Sequence, residues 1–344
     1  MRIAVIGGGV SGISSAVQIL EYLKSTGSPA DVTVLSEALT PNTTGDGSAG
    51  LWAPYLLSGT PKARVHRWSK QMYDFLKQIW LSEDAGEAGV CLLPFLWLTT
   101  TTTTMHDVLW KDIAYSCRRL TQKELDGLNK GKERKYTDGI EFITYTSEPT
   151  KLLPYLMKRF QANGGKIVQQ KIANLEDFIT SSEYDVIINC TGLGSRECVK
   201  DNGMFSIRGQ VSRVKANWLY HGLIDESDDG NYIIPNCESV ILGGTHQEND
   251  YNTKVCPNDK AFIINGCQKI VPGLENAQHL YDWVGLRPGR DSLRLEAEKG
   301  GKKIVIHNYG HGGSGVTLAW GCADEVLELL KHELQARNFL KSKL

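Results

Sequence analysis

Residues Arg2–Gly12 read RIAVIGGGVSG, a short β-branched apolar run joined without a gap to a glycine-rich turn. An amphipathic stretch from Val10 to about Leu23 follows. Strand, glycine turn and helix in this order form the opening of a dinucleotide site. Gly7 permits the tight turn, Gly9 lets backbone approach a pyrophosphate, and Gly12 lets the helix pack on the strand. The helix N-terminus turns free N–H groups and a positive dipole end toward phosphate. Asp31–Leu35 (DVTVL) reads as the second strand and ends at Glu37, where a carboxylate would take ribose hydroxyls. Together these features predict an adenine dinucleotide site.

Working outward, the loop TPNTTGDGSAGLWAPYL (Thr40–Leu56) offers hydroxyls and N–H groups to a ligand and closes on an apolar Leu51-Trp52-Ala53-Pro54. Trp68, Met72, Phe75, Leu76 and Ile79 recur at helical spacing within Lys62–Leu81 and are expected in the core. Val90–Thr104 predicts a strand running into six threonines, Asp107–Tyr115 and Thr121–Leu128 short helices, and Gly139–Thr146 a strand. Glu148–Asn163 reads as a helix stopped by Gly164-Gly165, and Lys166–Gln170 as a strand. Asp185–Cys190 is a buried apolar strand ending in the tight Thr191–Gly194 turn, the return expected of a dinucleotide fold. Ser206–Val214, Tyr232–Ile234, Val240–Leu242 and Tyr281–Leu286 predict a separate antiparallel sheet. Lys303–His307 is a further strand, and Val316–Leu340 a final helix.

Between these last two lies a second glycine cluster, Gly310, Gly312, Gly313 and Gly315. A plain nicotinamide enzyme needs only the first glycine turn. A flavin enzyme gains from a second helix N-terminus beside the isoalloxazine, where reduction collects negative charge.

The 344 residues are 41% hydrophobic and 22% charged, as expected of a globular chain with a sizeable core. A net charge of −1 gives no electrostatic reason to expect nucleic acid or a membrane surface as partner. No apolar run approaches the length of a membrane span, and with the first strand starting at Arg2 no signal peptide is expected. The eight cysteines are scattered without metal-type spacing, so neither a metal nor a disulfide framework is expected. Ser342-Lys343-Leu344 matches a receptor-read address for the peroxisome matrix.

Taken together, GGGVSG (7–12), TPNTT…SAGLWAPYL (40–56), NCTGLGSR (189–196) and RGQV (208–211) resemble the D-amino acid oxidase family, FAD enzymes that include D-aspartate oxidase. YIIP (232–235), GGTHQ (243–247), GLRPGRDSLRLE (285–296) and HNYGHGGSGVTLAWG (307–321) extend the resemblance over nearly the whole chain. It implies an α/β fold: a doubly wound, Rossmann-like FAD domain from residues 1–57, 147–195 and 283–344, and a substrate domain with a mostly antiparallel sheet from 58–146 and 196–282. It also implies oxidation of a D-amino acid by hydride transfer to flavin N5, giving a 2-oxo acid, ammonia and H2O2, and leaves a homodimer open.

Residue by residue, the resemblance implies that Arg290 pairs with the substrate carboxylate, that Tyr232 donates to it, and that the Gly313 carbonyl meets the amine. Gly7, Gly8, Gly9, Val10, Ser11, Gly12 and Glu37 would hold FAD. So would Thr43, Thr44, Gly50, Leu51, Ile172, Thr191, Gly192, Gly312, Gly315 and Thr317. Arg287 and Arg294 read as structural ion-pairing residues, and His307 and His311 as structural or flavin-adjacent rather than bases. Glu37, Ala38 and Gly45 depart from the family's usual Asp, Arg and Thr, which predicts looser FAD binding. Tyr55 and His246 are expected to meet the substrate side chain. LWAPYL matches the branch acting on neutral substrates, and the acidic stretch 225–231 should tolerate basic ones. The competing readings are a D-aspartate oxidase with His246 as side-chain partner, and a glycine- or sarcosine-type amine oxidase.

Overall fold

The structure, a computed structural model, describes residues 1–55, 57, 59–101, 108–227 and 230–341. In chain order, β1 (Arg2–Ile6), α1 (Val10–Ser25) and β2 (Asp31–Ser36) lead into α2 (Lys62–Trp80) and α3 (Ala85–Ala88). Next come β3 (Val90–Thr99), β4 (Tyr115–Arg119), α4 (Gln122–Asn129), β5 (Asp138–Ser147), α5 (Pro149–Ala162), β6 (Lys166–Gln169), α6 (Leu175–Ser181), β7 (Val186–Asn189) and α7 (Ser195–Cys198). Five strands follow: β8 (Phe205–Lys215), β9 (Gly222–Asp225), β10 (Asn231–Pro235), β11 (Val240–Gly243) and β12 (Gln247–Glu248). The chain then forms α8 (Pro257–Ile270), β13 (Gln278–Gly289), β14 (Arg294–Ala297), β15 (Ile304–Tyr309) and α9 (Gly315–Lys341).

Two sheets organise these elements. The first has the order β14-β15-β7-β1-β2-β6 and is parallel except at its β14 edge. Its central strands are continuous apolar runs because both faces are covered. Ile3 and Val5 of β1 join Ile13, Val17 and Leu20 of α1 in one core cluster, while Ala4 and Ile6 join Leu35, Leu175 and Val305 in another. The side-chain period of two sends alternate residues to opposite faces. The second sheet has the order β12-β8-β11-β10-β9-β3-β5-β4, with β13 also paired to β8, and is antiparallel apart from the β3–β9 pair.

Several elements differ from the sequence expectation. The boundary expected at 283 falls inside β13, where Trp283 pairs with Val211 of the second sheet. No helix forms between Val108 and Ala114; Trp110 instead turns inward against Trp52 and Phe142, with ring centroids 5.8 and 4.8 Å away. Asp107, Thr102–Thr104, Leu56 and the Ser342–Leu344 tripeptide lie outside the described residues. β4, β9, β14, α6 and α8 add to the elements expected from the sequence; α8 buries only Ile263, Cys267 and Ile270. All eight cysteines are free, with Cys190, Cys198, Cys267 and Cys322 buried.

Candidate active site

A cavity of about 740 Å³ runs between the two sheets from the first glycine turn to the middle of the antiparallel sheet. At the glycine end, Gly7 has φ +114°, and a Cβ there would lie 2.3 Å from the Cys190 carbonyl oxygen. A Cβ on Gly12 would lie 1.9 Å from the Gly7 carbonyl oxygen, so this glycine sets how closely α1 approaches β1. A Cβ on Gly9 would meet nothing within 4 Å. Gly9 therefore faces open cavity, as a phosphate-binding turn requires. Gly8, Val10 and Ser11 line the same end, with Gly8 N donating to Ser36 Oγ at 2.8 Å. Glu37 follows β2 at the cavity edge, 3.0 Å from Lys171.

The 40–56 loop and the two later glycine turns close around this space. Thr43, Thr44, Gly50, Leu51, Thr191 and Gly192 line it, as do Gly312, Gly313, Gly315 and Thr317. Thr43 caps a short turn by donating its hydroxyl to Asp46 at 2.7 Å, and Thr317 Oγ1 donates to Leu51 O at 3.2 Å. Ala38 and Gly45 also face the cavity. Ile172 is not part of its lining; it packs beside Leu175 and Ile187 on the far face of the parallel sheet. Gly12 likewise acts through packing rather than as lining.

Three buried polar atoms on this wall, Ser48 Oγ, Asn308 Oδ1 and His311 Nε2, have no hydrogen-bond partner. Buried polar groups are normally paired, so these three atoms on the cavity wall are free to meet a polar ligand. Burial lowers the His311 pKa to about 4, which leaves a neutral imidazole near pH 7. His307 lies in a different setting: its Nδ1 is 3.1 Å from Asn189 Nδ2 and its Nε2 2.7 Å from Glu298 Oε1.

The other end is built by one row of paired positions across the antiparallel sheet. Trp97 of β3 pairs with Ile224 of β9, which pairs with Tyr232 of β10. Tyr232 pairs with Gly243 of β11, Gly243 with Val211 of β8, and Val211 with Trp283 of β13. Paired residues share a face, and Trp97, Ile224, Tyr232, Val211 and Trp283 of this row line one wall of the cavity. Gly243 makes room for the phenol: a Cβ there would lie 2.0 Å from Tyr232 Cζ.

Along β13, Trp283, Gly285 and Arg287 point to the cavity at every second position. Arg287 crosses over Gly209, donates to Thr245 O at 2.9 Å, and stands beside the Tyr232 phenol. Arg290 does not reach this space. It lies beyond the end of β13 and on the opposite parity, with Nε 3.0 Å from Asp201 Oδ2 and Nη1 donating to Ser292 O. The roles expected of the two arginines are thus exchanged in position: Arg290 is the ion-paired residue and Arg287 faces the cavity. Arg294 is ion-paired as expected, 2.8 Å from Glu296. The two-residue period from Trp283 would have separated Arg287 from Arg290 in the sequence.

Tyr55 packs against Gly313, whose Cβ would lie 2.7 Å from its ring, and its hydroxyl senses the charges of Arg287 and Glu226 and the phenol of Tyr232. His246 lines the rim and is exposed. Glu226, also on the wall, accepts from Trp97 Nε1 at 3.0 Å.

A family model described as FAD dependent oxidoreductase matches residues 2–329. This chain belongs to the FAD dependent oxidoreductase family. Among its relatives, a D-amino acid oxidase of Dugesia ryukyuensis is 40% identical over the full length of both chains. The D-aspartate oxidase of Homo sapiens is 35% identical, covering 97% of this chain and 96% of that one. A solved glycine oxidase from Geobacillus kaustophilus superposes with TM-score 0.78 over 96% of this chain and 95% of its own, at 16% identity, a likeness of fold alone. As an FAD dependent oxidoreductase the chain is an enzyme with FAD as its cofactor. The open space at Gly9 and the unpartnered Ser48, Asn308 and His311 atoms fit such a group. Among the described residues, no group of three or more His, Cys, Asp or Glu is placed to hold a metal ion.

Proposed function

We propose that the enzyme oxidises D-amino acids with non-acidic side chains to 2-oxo acids, ammonia and H2O2. The observation that carries this reading is the Arg287–Tyr232 pair at the end of the cavity opposite the Gly7–Ser11 turn. FAD, when bound, supplies the acceptor for the hydride from the substrate α-carbon and hands the electrons to O2. The Gly7–Ser11 turn would hold its pyrophosphate, Glu37 its ribose, and the Gly312–Thr317 turn its ring system.

Arg287 presents a planar fork to the substrate carboxylate, and the Tyr232 hydroxyl donates to the same group. Burial raises the Tyr232 pKa while the neighbouring guanidinium opposes the rise, so the phenol keeps its proton at neutral pH and serves as donor. The Gly313 carbonyl accepts from the substrate amine. With carboxylate and amine fixed, one face of the α-carbon is directed along the cavity, and positioning supplies the rate enhancement. Neutral His311 is placed as a hydrogen-bond partner rather than a base.

Purified protein supplied with FAD should form H2O2 from D-alanine and D-methionine and not from their L-forms. Equal rates with glycine or sarcosine and no enantiomer preference would instead identify an amine oxidase. The second reading, a D-aspartate oxidase, rests on His246 at the rim; it requires D-aspartate to be turned over in preference to D-alanine and D-methionine. Ser342-Lys343-Leu344 supports import into the peroxisome matrix, tested by the location of a fluorescent reporter carrying this tripeptide at its C-terminus.

A further inference from the structure

We infer that Glu226 is the side-chain receptor of the substrate site and selects D-amino acids with a cationic side chain. This rests on the D-amino acid oxidase reading and narrows its substrate class. Glu226 follows Ile224 by two residues, on the face that lines the cavity, and its N donates to Leu98 O at 2.9 Å so that the ladder with β3 continues through it. Two residues of extended chain span about 7 Å. Glu226 is therefore displaced along the sheet from the Tyr232 row by about that distance, on the same cavity wall. A substrate whose carboxylate rests on Arg287 and Tyr232 would direct such a side chain along this wall.

The charges around the site favour the same partner. Arg287 answers the substrate carboxylate, and Glu226 stands exposed on the cavity wall with its charge open to a cation. The indole N–H of Trp97 is a neutral donor, and it holds Oε2 alone at 3.0 Å. Partial desolvation raises the Glu226 carboxyl above its ordinary value, and the Trp97 hydrogen bond opposes the rise. Asp225, the adjacent acid, is differently placed: its carboxylate is taken up by Arg134, by Tyr136 at 3.1 Å and by Ser227 N at 3.0 Å. Tyr55 lines the same cavity as Glu226 and Arg287 and senses both charges. Acidic side chains would meet Glu226 as a like charge, and neutral ones would leave it without a cation.

The test compares kcat/KM for D-arginine, D-lysine, D-methionine and D-glutamate, read as H2O2 formation by the flavin-loaded enzyme. The wild type should favour D-arginine and D-lysine over D-methionine, a neutral side chain of similar length. In Glu226→Gln the ratio of D-arginine to D-methionine should fall roughly tenfold or more, mainly through KM, as expected for loss of a charge-assisted pair. In Glu226→Lys the ratio of D-glutamate to D-methionine should rise. A wild type that turns over D-methionine but disfavours D-arginine overturns this inference alone. So does an unchanged ratio in Glu226→Gln together with no gain on D-glutamate in Glu226→Lys. Absence of peroxide from every D-amino acid overturns the underlying oxidase reading and this inference with it.

Discussion

Arg287 and Arg290 stand three residues apart and meet different partners. Arg287 faces the cavity beside Tyr232, whereas Arg290 holds Asp201, which also accepts from Tyr309 at 2.8 Å. Replacing Arg287 with Lys keeps the charge but removes the fork. Its kcat/KM for D-methionine should drop about 100-fold, the scale of a lost bidentate carboxylate contact. Arg290→Lys should leave KM close to wild type and lower thermal stability, because its guanidinium binds protein groups. Steady-state kinetics and thermal melts on the two variants distinguish these outcomes. His311 governs a different property. The unfolded chain takes up a proton near pH 6.5, the folded one only near 4. Between these values the unfolded state binds more protons, so stability falls as pH falls, by roughly 3 kcal/mol from this one group. His311→Gln keeps a polar atom but cannot titrate, and its melting temperature should decline less from pH 7 to pH 4.5.

At the scale of elements, the glycines at the start of α1 separate packing from ligand approach. Gly12→Ala drives a methyl group into the Gly7 carbonyl at 1.9 Å, so α1 must shift on β1. Overpacking of this kind costs about 1–3 kcal/mol, and both stability and FAD affinity should fall. Gly9→Ala meets no protein atom within 4 Å. The apoprotein should melt close to wild type while FAD binds at least about tenfold more weakly, because the new methyl occupies ligand space. Thermal melts of apoprotein and fluorescence titration with FAD check both. This turn was legible in the sequence because strand, glycines and helix are contiguous, and local geometry dictates each residue type. The antiparallel wall was not. Trp97, Ile224, Tyr232, Gly243, Val211 and Trp283 come from six strands, and only long-range register places them in one row. Tyr232 was found through its motif, whereas Trp97 carried no local signal. Arg287 and Arg290 differ for a related reason: a motif gives the residue type, while strand parity decides which copy faces the cavity. Ser48 and Asn308 were silent because an unpartnered buried atom is a property of the packed molecule.

For the whole molecule, the cavity lies where the parallel sheet supplies glycine turns and the antiparallel sheet supplies side chains. Segments of both sheets share one core cluster, which runs from Ile3 and Val5 to Phe95 and Phe142. A ligand held in this space binds only the folded state. FAD at 100 times its dissociation constant should therefore raise stability by about 2.7 kcal/mol, seen as a melting temperature that climbs with FAD concentration. The looser grip expected from Ala38 and Gly45 predicts that FAD is partly lost on dilution or gel filtration.

The most direct measurement of the central claim is anaerobic mixing of the flavin-loaded enzyme with D-arginine, D-methionine and their L-forms, followed in the visible flavin band. Both D-forms should bleach it rapidly, D-arginine fastest, and the L-forms not at all, with Arg287→Lys requiring far more substrate for the same rate. Bleaching by both enantiomers alike, or no effect of Arg287→Lys, would contradict that claim.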